Sequence, residues 1–128
     1  MVKKIETLDA PQAVGPYSQA VQAGDVVYLS GQIPINPATG QLVEGDVEAQ
    51  AKQVFQNIEA VLSAAKLTIA DVVNVTVYLT DINDFKRVNT CYAKVFTGAV
   101  LPARCAVGIA ALPLGAALEV ACTAYCGN

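Results

Sequence analysis

The sequence contains no histidine and no tryptophan among its 128 residues. Without histidine, the chain cannot build a Ser-His-Asp or Cys-His catalytic group, and it lacks the side chain that most often acts as a general acid or base near neutral pH. Zinc sites that need histidine, including the zinc deaminase signature, are excluded as well. Any catalysis must therefore use carboxylate, arginine, tyrosine, serine, thiol or backbone groups.

No Cys-x-x-Cys pair occurs among the cysteines Cys91, Cys105, Cys122 and Cys126. Cys122 and Cys126 lie four residues apart on a predicted strand, so their side chains share a face but are too far apart to form a disulfide bond. We therefore expect four free thiols, buried or partly buried, in a reducing compartment.

Charged residues are scarce, at 15% of the chain against about 25% in an average soluble domain, while 54% of residues are hydrophobic. A domain of this size has an unfavourable surface-to-volume ratio, so it cannot hide that much apolar surface by itself. The composition favours a buried subunit interface over an unusually Ala/Val-rich core. The net charge of −3 and the lack of a Lys/Arg run argue against a nucleic acid partner.

Long apolar runs are also missing. The longest uncharged apolar stretch, Cys105–Leu118, has 14 residues and contains glycine and proline, whereas a membrane-spanning helix needs about 20 residues. Residues 1–10 carry two lysines with no apolar stretch behind them, which is not typical of a secretory signal. We expect one domain over residues 1–128, cytoplasmic and without a membrane partner.

The first half of the chain predicts three strands and a helix. Val2–Thr7 is predicted as an edge strand, and Tyr17–Gln22 and Asp25–Gly31 as a hairpin, because a glycine-containing turn separates two extended runs. Asn36–Gly40 is a strong turn signal. Apolar residues then recur at helical spacing over Val47–Ala65, which predicts a helix.

Each predicted helix has a candidate N-cap. Asp46 precedes the first helix, and Asn83 or Asp84 precedes a second helix that ends before Gly98. The apolar stripe of the second helix consists of Phe85, Val88, Tyr92, Val95 and Phe96.

Three further strands complete the predicted order β-β-β-α-β-α-β-β. The first, which precedes the second helix, alternates Val73, Val75, Val77 and Leu79 with Asn74, Thr76, Tyr78 and Thr80. Ala103–Ala110 and Ala117–Tyr125 are joined by a turn at Leu112–Gly115. This order predicts an α+β fold, in which a mostly antiparallel six-stranded sheet carries two helices on one face. The strands are apolar on nearly both faces, which is a second indication that about three copies pack sheet to sheet.

Arg104 and Glu119 are the only charged residues after Val95, and each lies within a strongly apolar strand. Because a guanidinium cannot lose its charge, Arg104 needs an anionic partner or a water-filled cleft. It could form a structural ion pair with Glu119. Alternatively, it could bind a ligand carboxylate, which leaves Glu119 free for proton transfer with a pKa raised by its apolar surroundings.

Five segments spread along essentially the whole chain stand out together: Gly15-Pro16-Tyr17-Ser18-Gln19-Ala20, Ser30-Gly31-Gln32-Ile33-Pro34, Asn36-Pro37-Ala38-Thr39-Gly40, Leu101-Pro102-Ala103-Arg104 and Ala111-Leu112-Pro113. They resemble the recurring motifs of the RidA/YjgF family, in the same order and at matching spacing. The resemblance implies a chorismate-mutase-like fold and a homotrimer with sites between subunits. It also implies hydrolysis of reactive 2-enamine and 2-imino acids to 2-keto acids and ammonia, without a metal or organic cofactor.

The resemblance also assigns roles to residues. Arg104 is expected to grip the substrate carboxylate, Glu119 to orient or activate the attacking water, and Tyr17 to close the site with its hydroxyl. Ser30 and Gly31 are expected to line the pocket.

Two further expectations concern Asn89 and Ala106. Asn89 matches an asparagine that faces the pocket, and the main-chain carbonyl near Ala106 is expected to hold the substrate nitrogen. Many relatives have cysteine or a small residue at the position of Ala106. A second glutamate and a turn lysine, common in relatives, are replaced here by Ala121 and Leu114.

Other interpretations stay open at this point. Tyr17 could anchor a loop, Gly31 could simply permit a β-bulge, and Asn89 could be solvated. A non-catalytic protein that binds or senses small keto or amino acids in the same cleft is the alternative function. Ribonuclease or translation-inhibiting activity, also linked to the family, is disfavoured by the acidic charge balance.

Overall fold

The computed structural model describes residues 1–127, and its secondary structure follows the predicted order with one addition. A six-stranded sheet is covered on one face by two helices, which confirms the predicted α+β class. The elements are β1 (Lys3–Ile5), β2 (Ala20–Ala23), β3 (Val26–Gln32), β4 (Ile35–Asn36), β5 (Gln41–Leu42), α1 (Val47–Ala64), β6 (Val72–Leu79), α2 (Phe85–Val95), β7 (Ala103–Gly108) and β8 (Leu118–Tyr125).

The strands of the main sheet lie in the order β1-β2-β3-β8-β6-β7. All neighbours are antiparallel except β6 and β7, which run parallel, so the sheet is mostly antiparallel as predicted. The predicted hairpin is present between β2 and β3, where Ala23 pairs with Val26 and Gly24 adopts a φ of 60°. The sheet places the carboxyl-terminal strand β8 at its centre and β7 at one edge.

The addition is a small ribbon of β4 and β5, which the sequence did not predict. It is built around the predicted turn, in which the Asn36 carbonyl oxygen accepts a hydrogen bond from the Gly40 amide at 2.8 Å. Gly40 adopts a φ of 74°, which favours glycine. Two-residue strands carry too little alternation to be recognised in a sequence.

Both helices begin close to their predicted positions. Asp46 caps α1, since its side chain accepts a hydrogen bond from the Ala49 amide at 3.0 Å. Asp84 occupies the N-cap position of α2 but makes no capping hydrogen bond with its side chain. No helix within residues 1–127 is long and apolar enough to cross a bilayer.

One face of the sheet is buried beneath the helices. Four alternate residues of β8, from Leu118 to Ala124, are buried, while the three residues between them are half-buried. The opposite face of the sheet is called the second face here. Tyr28 and Tyr125 lie on it with 51% and 42% of their surfaces exposed. The second face therefore carries accessible apolar surface in the single chain.

The predicted alternation of β6 is correct for Val75, Val77 and Leu79, which are buried. It is wrong for Val73, which is 49% exposed. A register shift between Val72 and Asn74 inserts an extra residue opposite β8. Val72 takes the buried place instead, because a β-bulge interrupts the strict alternation of faces.

Candidate functional site

A cleft of about 400 Å³ opens beside β3, close to the start of β8. Its walls come from the loop before β2, from the segment that joins β3 to β4, and from the turn before β8. Most of the lining is apolar, and Glu119 is its only charged residue within the described part of the chain. The lining residues are Pro11, Gln12, Val14, Tyr17, Gln19, Gly31, Gln32, Ile33, Ile35, Pro113, Leu114 and Glu119.

A β-bulge in β3 brings Gly31 against Glu119. Leu29 pairs with Cys122 and Gln32 with Val120, so two residues of β3 oppose one residue of β8. A Cβ atom on Gly31 would lie 2.8 Å from Cδ and 3.1 Å from Cγ of Glu119. Only glycine leaves room for that carboxylate. Gly31 therefore both permits the bulge and lines the cleft.

The carboxyl group of Glu119 is half-buried, and burial raises its pKa above the ordinary value. Within residues 1–127, no side chain or backbone group donates a hydrogen bond to it, and no cation pairs with it. A carboxylate with a raised pKa and free acceptor positions can take a proton from a water molecule.

Two buried amides, which the sequence analysis missed, hold the cleft walls. The side chain of Gln19 is 4% exposed; its Nε2 donates to the carbonyl oxygens of Pro11 at 2.7 Å and Thr7 at 3.0 Å, and its Oε1 accepts from the Thr7 amide. Asn57 on α1 is 1% exposed and donates to the Ile35 carbonyl at 2.9 Å. Two features of the sequence could have identified them. Gln19 lies within one of the family motifs, and Asn57 is a polar residue among the buried residues of α1.

Tyr17 lies at the cleft with 52% of its surface exposed, and its backbone amide donates to the Gly15 carbonyl at 2.8 Å. Ser30 does not line the cleft. Its hydroxyl donates to the Ser18 carbonyl at 2.6 Å and its amide to the Gln19 carbonyl at 2.9 Å. These two hydrogen bonds hold in place the loop that carries Tyr17, so Ser30 contributes to the site indirectly.

Arg104 lies above α2 at the edge of the sheet. Its Nη1 donates to Oδ1 of Asn89 at 2.7 Å, and its Cζ lies 5.2 Å and 4.6 Å from the ring centroids of Phe85 and Tyr92. These contacts orient a guanidinium that is otherwise exposed. Asn89 is half-buried and hydrogen-bonded, so the interpretation of a solvated side chain is wrong.

The proposed structural ion pair between Arg104 and Glu119 is absent from residues 1–127. Across β6, Arg104 is aligned with Val75 and Glu119 with Tyr78. Residues three apart on a strand point to opposite faces, so the two charged side chains leave the sheet on opposite sides.

The predicted site residues therefore form two groups in one chain. Tyr17, Gly31 and Glu119 meet at the cleft, whereas Arg104 and Asn89 meet on α2. Ala106, half-buried, follows Arg104 by two residues on the edge strand β7. A ligand can touch both groups only if another copy of the chain brings its Arg104 to this cleft.

All four cysteines are free thiols, as predicted. Cys105 is exposed, so the expectation that all four thiols are buried or partly buried is wrong for this one; Cys91 and Cys126 are half-buried, and Cys122 is buried. Burial raises the pKa of the Cys122 thiol to about 12, so it stays protonated and behaves as a core residue. None of the four lines the cleft.

Comparisons with known proteins identify the family. The profile of the family described as Endoribonuclease L-PSP matches residues 7–126. Protein DfrA of Myxococcus xanthus is 52% identical over 120 residues, covering 92% of this chain and 91% of the relative. The 2-iminobutanoate/2-iminopropanoate deaminase of Escherichia coli is 46% identical over 122 residues, covering 94% of each chain.

The fold of a solved relative agrees. The crystal structure of YyfA from Yersinia pestis, described as a protein of unknown function of the conserved Rid family, superposes with a TM-score of 0.95 at 48% identity. The match covers 98% of this chain and 99% of that one. The predicted chorismate-mutase-like fold is confirmed, and the chain belongs to the Endoribonuclease L-PSP family, the RidA/YjgF family that its motifs resemble.

Proposed function

We propose that the chain hydrolyses reactive 2-imino acids and their 2-enamine tautomers to 2-keto acids and ammonia, in a site completed by a second copy of the chain. The observation that carries the proposal is the unpaired, half-buried carboxyl group of Glu119 in an apolar cleft. The name of the deaminase relative, which matches 94% of the chain, supports the same reaction.

The position of Arg104 supports an assembly of copies. Its guanidinium and the Glu119 carboxyl group leave opposite faces of one sheet, so they can meet only between chains. The second sheet face carries exposed Tyr28 and Tyr125, which suit burial against another sheet. A contact that joins the Arg104 side of one copy to the Glu119 side of the next is head-to-tail, and such contacts form a ring when their rotation closes. The family resemblance implies three copies.

The reaction needs positioning more than strong acid–base groups. The imine carbon is already electrophilic, so the site must hold the substrate and one water in line. Arg104 of one copy binds the substrate carboxylate through two parallel hydrogen bonds. Tyr17 closes the site, and the main-chain carbonyl near Ala106 accepts a hydrogen bond from the protonated nitrogen.

Glu119 of the neighbouring copy then accepts a proton from the water, whose oxygen forms a bond to C2 of the imine. The resulting tetrahedral intermediate carries both a hydroxyl and an amino group. Glu119 returns its proton to the nitrogen, and the C2–N bond breaks to release ammonia. At the same time the Glu119 carboxylate takes the proton of the hydroxyl group, whose oxygen becomes the keto oxygen. No oxidant or reductant is required, because water supplies the oxygen atom.

The test generates an imino acid in situ with an amino acid oxidase and follows its decay with and without the purified protein. We expect Arg104→Ala and Glu119→Gln each to reduce the acceleration by about 10²-fold or more. Lys94→Ala on α2, outside the proposed site, is the matched control for loss of a surface cation. The proposal is contradicted if Arg104→Ala accelerates decay as well as the unaltered chain does.

A protein that only binds 2-keto or amino acids in the same cleft is the second candidate. The names of the relatives do not all give one activity, since the relative at 52% identity is not named a deaminase. Such a protein would need Arg104 for binding, tolerate Glu119→Gln with unchanged affinity, and turn over no imine. RNA binding measured at low salt tests the activity in the family description, which the net charge of −3 disfavours.

A further inference from the structure

We propose that Leu114 makes the cleft selective for 2-imino acids with long apolar side chains, an inference that rests on the proposed function. Leu114 lies in the turn before β8 and lines the cleft together with Tyr17 and Glu119. Its side chain is 68% exposed, so it contributes little to the core of the single chain.

The turn before β8 holds Leu114 in a backbone conformation that is unfavourable for leucine. Its φ is 60°, a left-handed conformation in which glycine or asparagine is preferred, and Gly115 follows with a φ of 72°. A leucine suits neither this turn nor an exposed position. What its side chain does provide is an apolar wall on one side of the cleft.

The remaining lining matches that wall. Val14 is 92% exposed at the cleft, and Ile33, Ile35 and Pro113 add further apolar surface. Among residues 1–127 of one chain, no cation lines the cleft to pair with a second substrate carboxylate, and Glu119 would repel one. An acidic side chain is therefore disfavoured.

The size of the cleft points the same way. Its volume of about 400 Å³ equals the share of roughly a dozen water molecules. The methyl group of an imine derived from alanine would leave most of this space filled with water. The side chain of an imine derived from leucine, methionine or phenylalanine would displace that water from apolar walls, which is favourable.

The test compares kcat/KM for imines generated in situ from alanine, leucine, phenylalanine and glutamate. We expect the leucine-derived imine to be preferred over the alanine-derived one by about tenfold or more, since each methylene in an apolar pocket contributes a factor of that order. Leu114→Ala should reduce this ratio several-fold, mainly through KM for the longer substrate, and Leu114→Lys should improve the relative rate of the glutamate-derived imine.

Leu114→Gly and Lys66→Gly separate selectivity from backbone strain. Lys66 is the other non-glycine residue with positive φ in residues 1–127, at 62°, and it lies outside the cleft. Both glycine variants relieve strain, so neither should lower Tm, but only Leu114→Gly should change the substrate ratio. If imines are hydrolysed and the ratio survives Leu114→Ala and Leu114→Gly, the inference about Leu114 is wrong. If no imine is hydrolysed, the proposed function itself fails, and the inference with it.

Discussion

Arg104 and Glu119 leave the same β-sheet on opposite faces, one above α2 and the other in the cleft beside β3. They are the only charged residues after Val95, and the sequence left open whether they pair with each other. Their placement excludes that pairing within a chain. It leaves the guanidinium and the carboxyl group without an ionic partner in residues 1–127, which is what the proposed site between copies requires.

The contact between Gly31 and Glu119 predicts that Gly31→Ala impairs catalysis. The added Cβ would meet the Glu119 side chain, which must move from its position in the cleft. We expect kcat for imine hydrolysis to fall by about 10-fold to 10²-fold, because a displaced base no longer meets the water.

Gly98→Ala is the control for Gly31→Ala. A Cβ at Gly98 meets its nearest heavy atom at 3.8 Å, an ordinary contact, and the residue lies outside the cleft. This variant should retain full activity. Full activity in the Gly31→Ala variant as well would show that the close approach has no role in the reaction.

The raised pKa of Glu119 predicts a pH dependence of activity. The base must be ionised to take a proton from water, so kcat/KM should fall as pH decreases through the pKa of Glu119. Because burial raises that pKa, the fall should occur at a higher pH than for an ordinary glutamate, whose reference value is 4.5. A pH profile of imine hydrolysis with a flat acidic limb down to that reference value would contradict the assignment.

The same pKa shift predicts an effect on stability. A carboxyl group whose pKa is raised by folding binds its proton more tightly in the folded chain, so stability decreases as pH rises through the interval between the unfolded and folded values. Glu119→Gln should therefore unfold at a higher temperature than the unaltered chain near neutral pH, and this difference should shrink under acidic conditions. Thermal unfolding of both proteins at the two conditions measures it. A difference that is independent of pH would indicate another cause.

Tyr92 supports Arg104 with its ring and not with its hydroxyl. The hydroxyl is buried and has no hydrogen-bond partner within residues 1–127, and burial raises its pKa. Tyr92→Phe should therefore leave the free energy of unfolding unchanged or raise it by about 1 kcal/mol, since it removes an unsatisfied polar group. It should also preserve KM, because the ring beneath Arg104 remains.

Tyr92→Leu is the comparison for Tyr92→Phe. It removes the ring that lies 4.6 Å from the Arg104 guanidinium and stacks on Phe96. We expect KM for the imine to rise more than kcat falls, because Arg104 loses orientation toward the substrate carboxylate. Equal KM values in the two variants would mean that the ring does not position Arg104.

Helix α1 and the order of the main strands along the chain could be predicted from the sequence, because a regular spacing of apolar residues marks each of these elements. The bulge at Val73 could not, since an inserted residue of the same apolar type leaves no mark in the sequence while it reverses the faces of the strand. The bulge at Gly31 was one of the two interpretations that the sequence left open for that glycine. The predicted strand Tyr17–Gln22 begins only at Ala20, because the side chain of Gln19 is used to fasten a loop.

The family motifs identified the residues of the candidate site but not their arrangement. Arg104 and Glu119 could be singled out as isolated charges, whereas their opposite faces follow from the pairing of β7 and β8 with β6. Such register depends on contacts between segments distant in sequence. Ser30 and Gln19 hold the loop before β2 in place through tertiary hydrogen bonds, which likewise cannot be read from the sequence.

A site shared between copies is tested most directly by mixing two inactive variants. Arg104→Ala copies retain Glu119, and Glu119→Gln copies retain Arg104, so a mixed assembly contains some interfaces with both groups intact. Co-expression in equal amounts should restore about one quarter of the unaltered specific activity, because one in four randomly formed interfaces of a ring has the intact combination. Imine hydrolysis by the co-expressed assembly that stays at the level of either variant alone would contradict a site built from two chains.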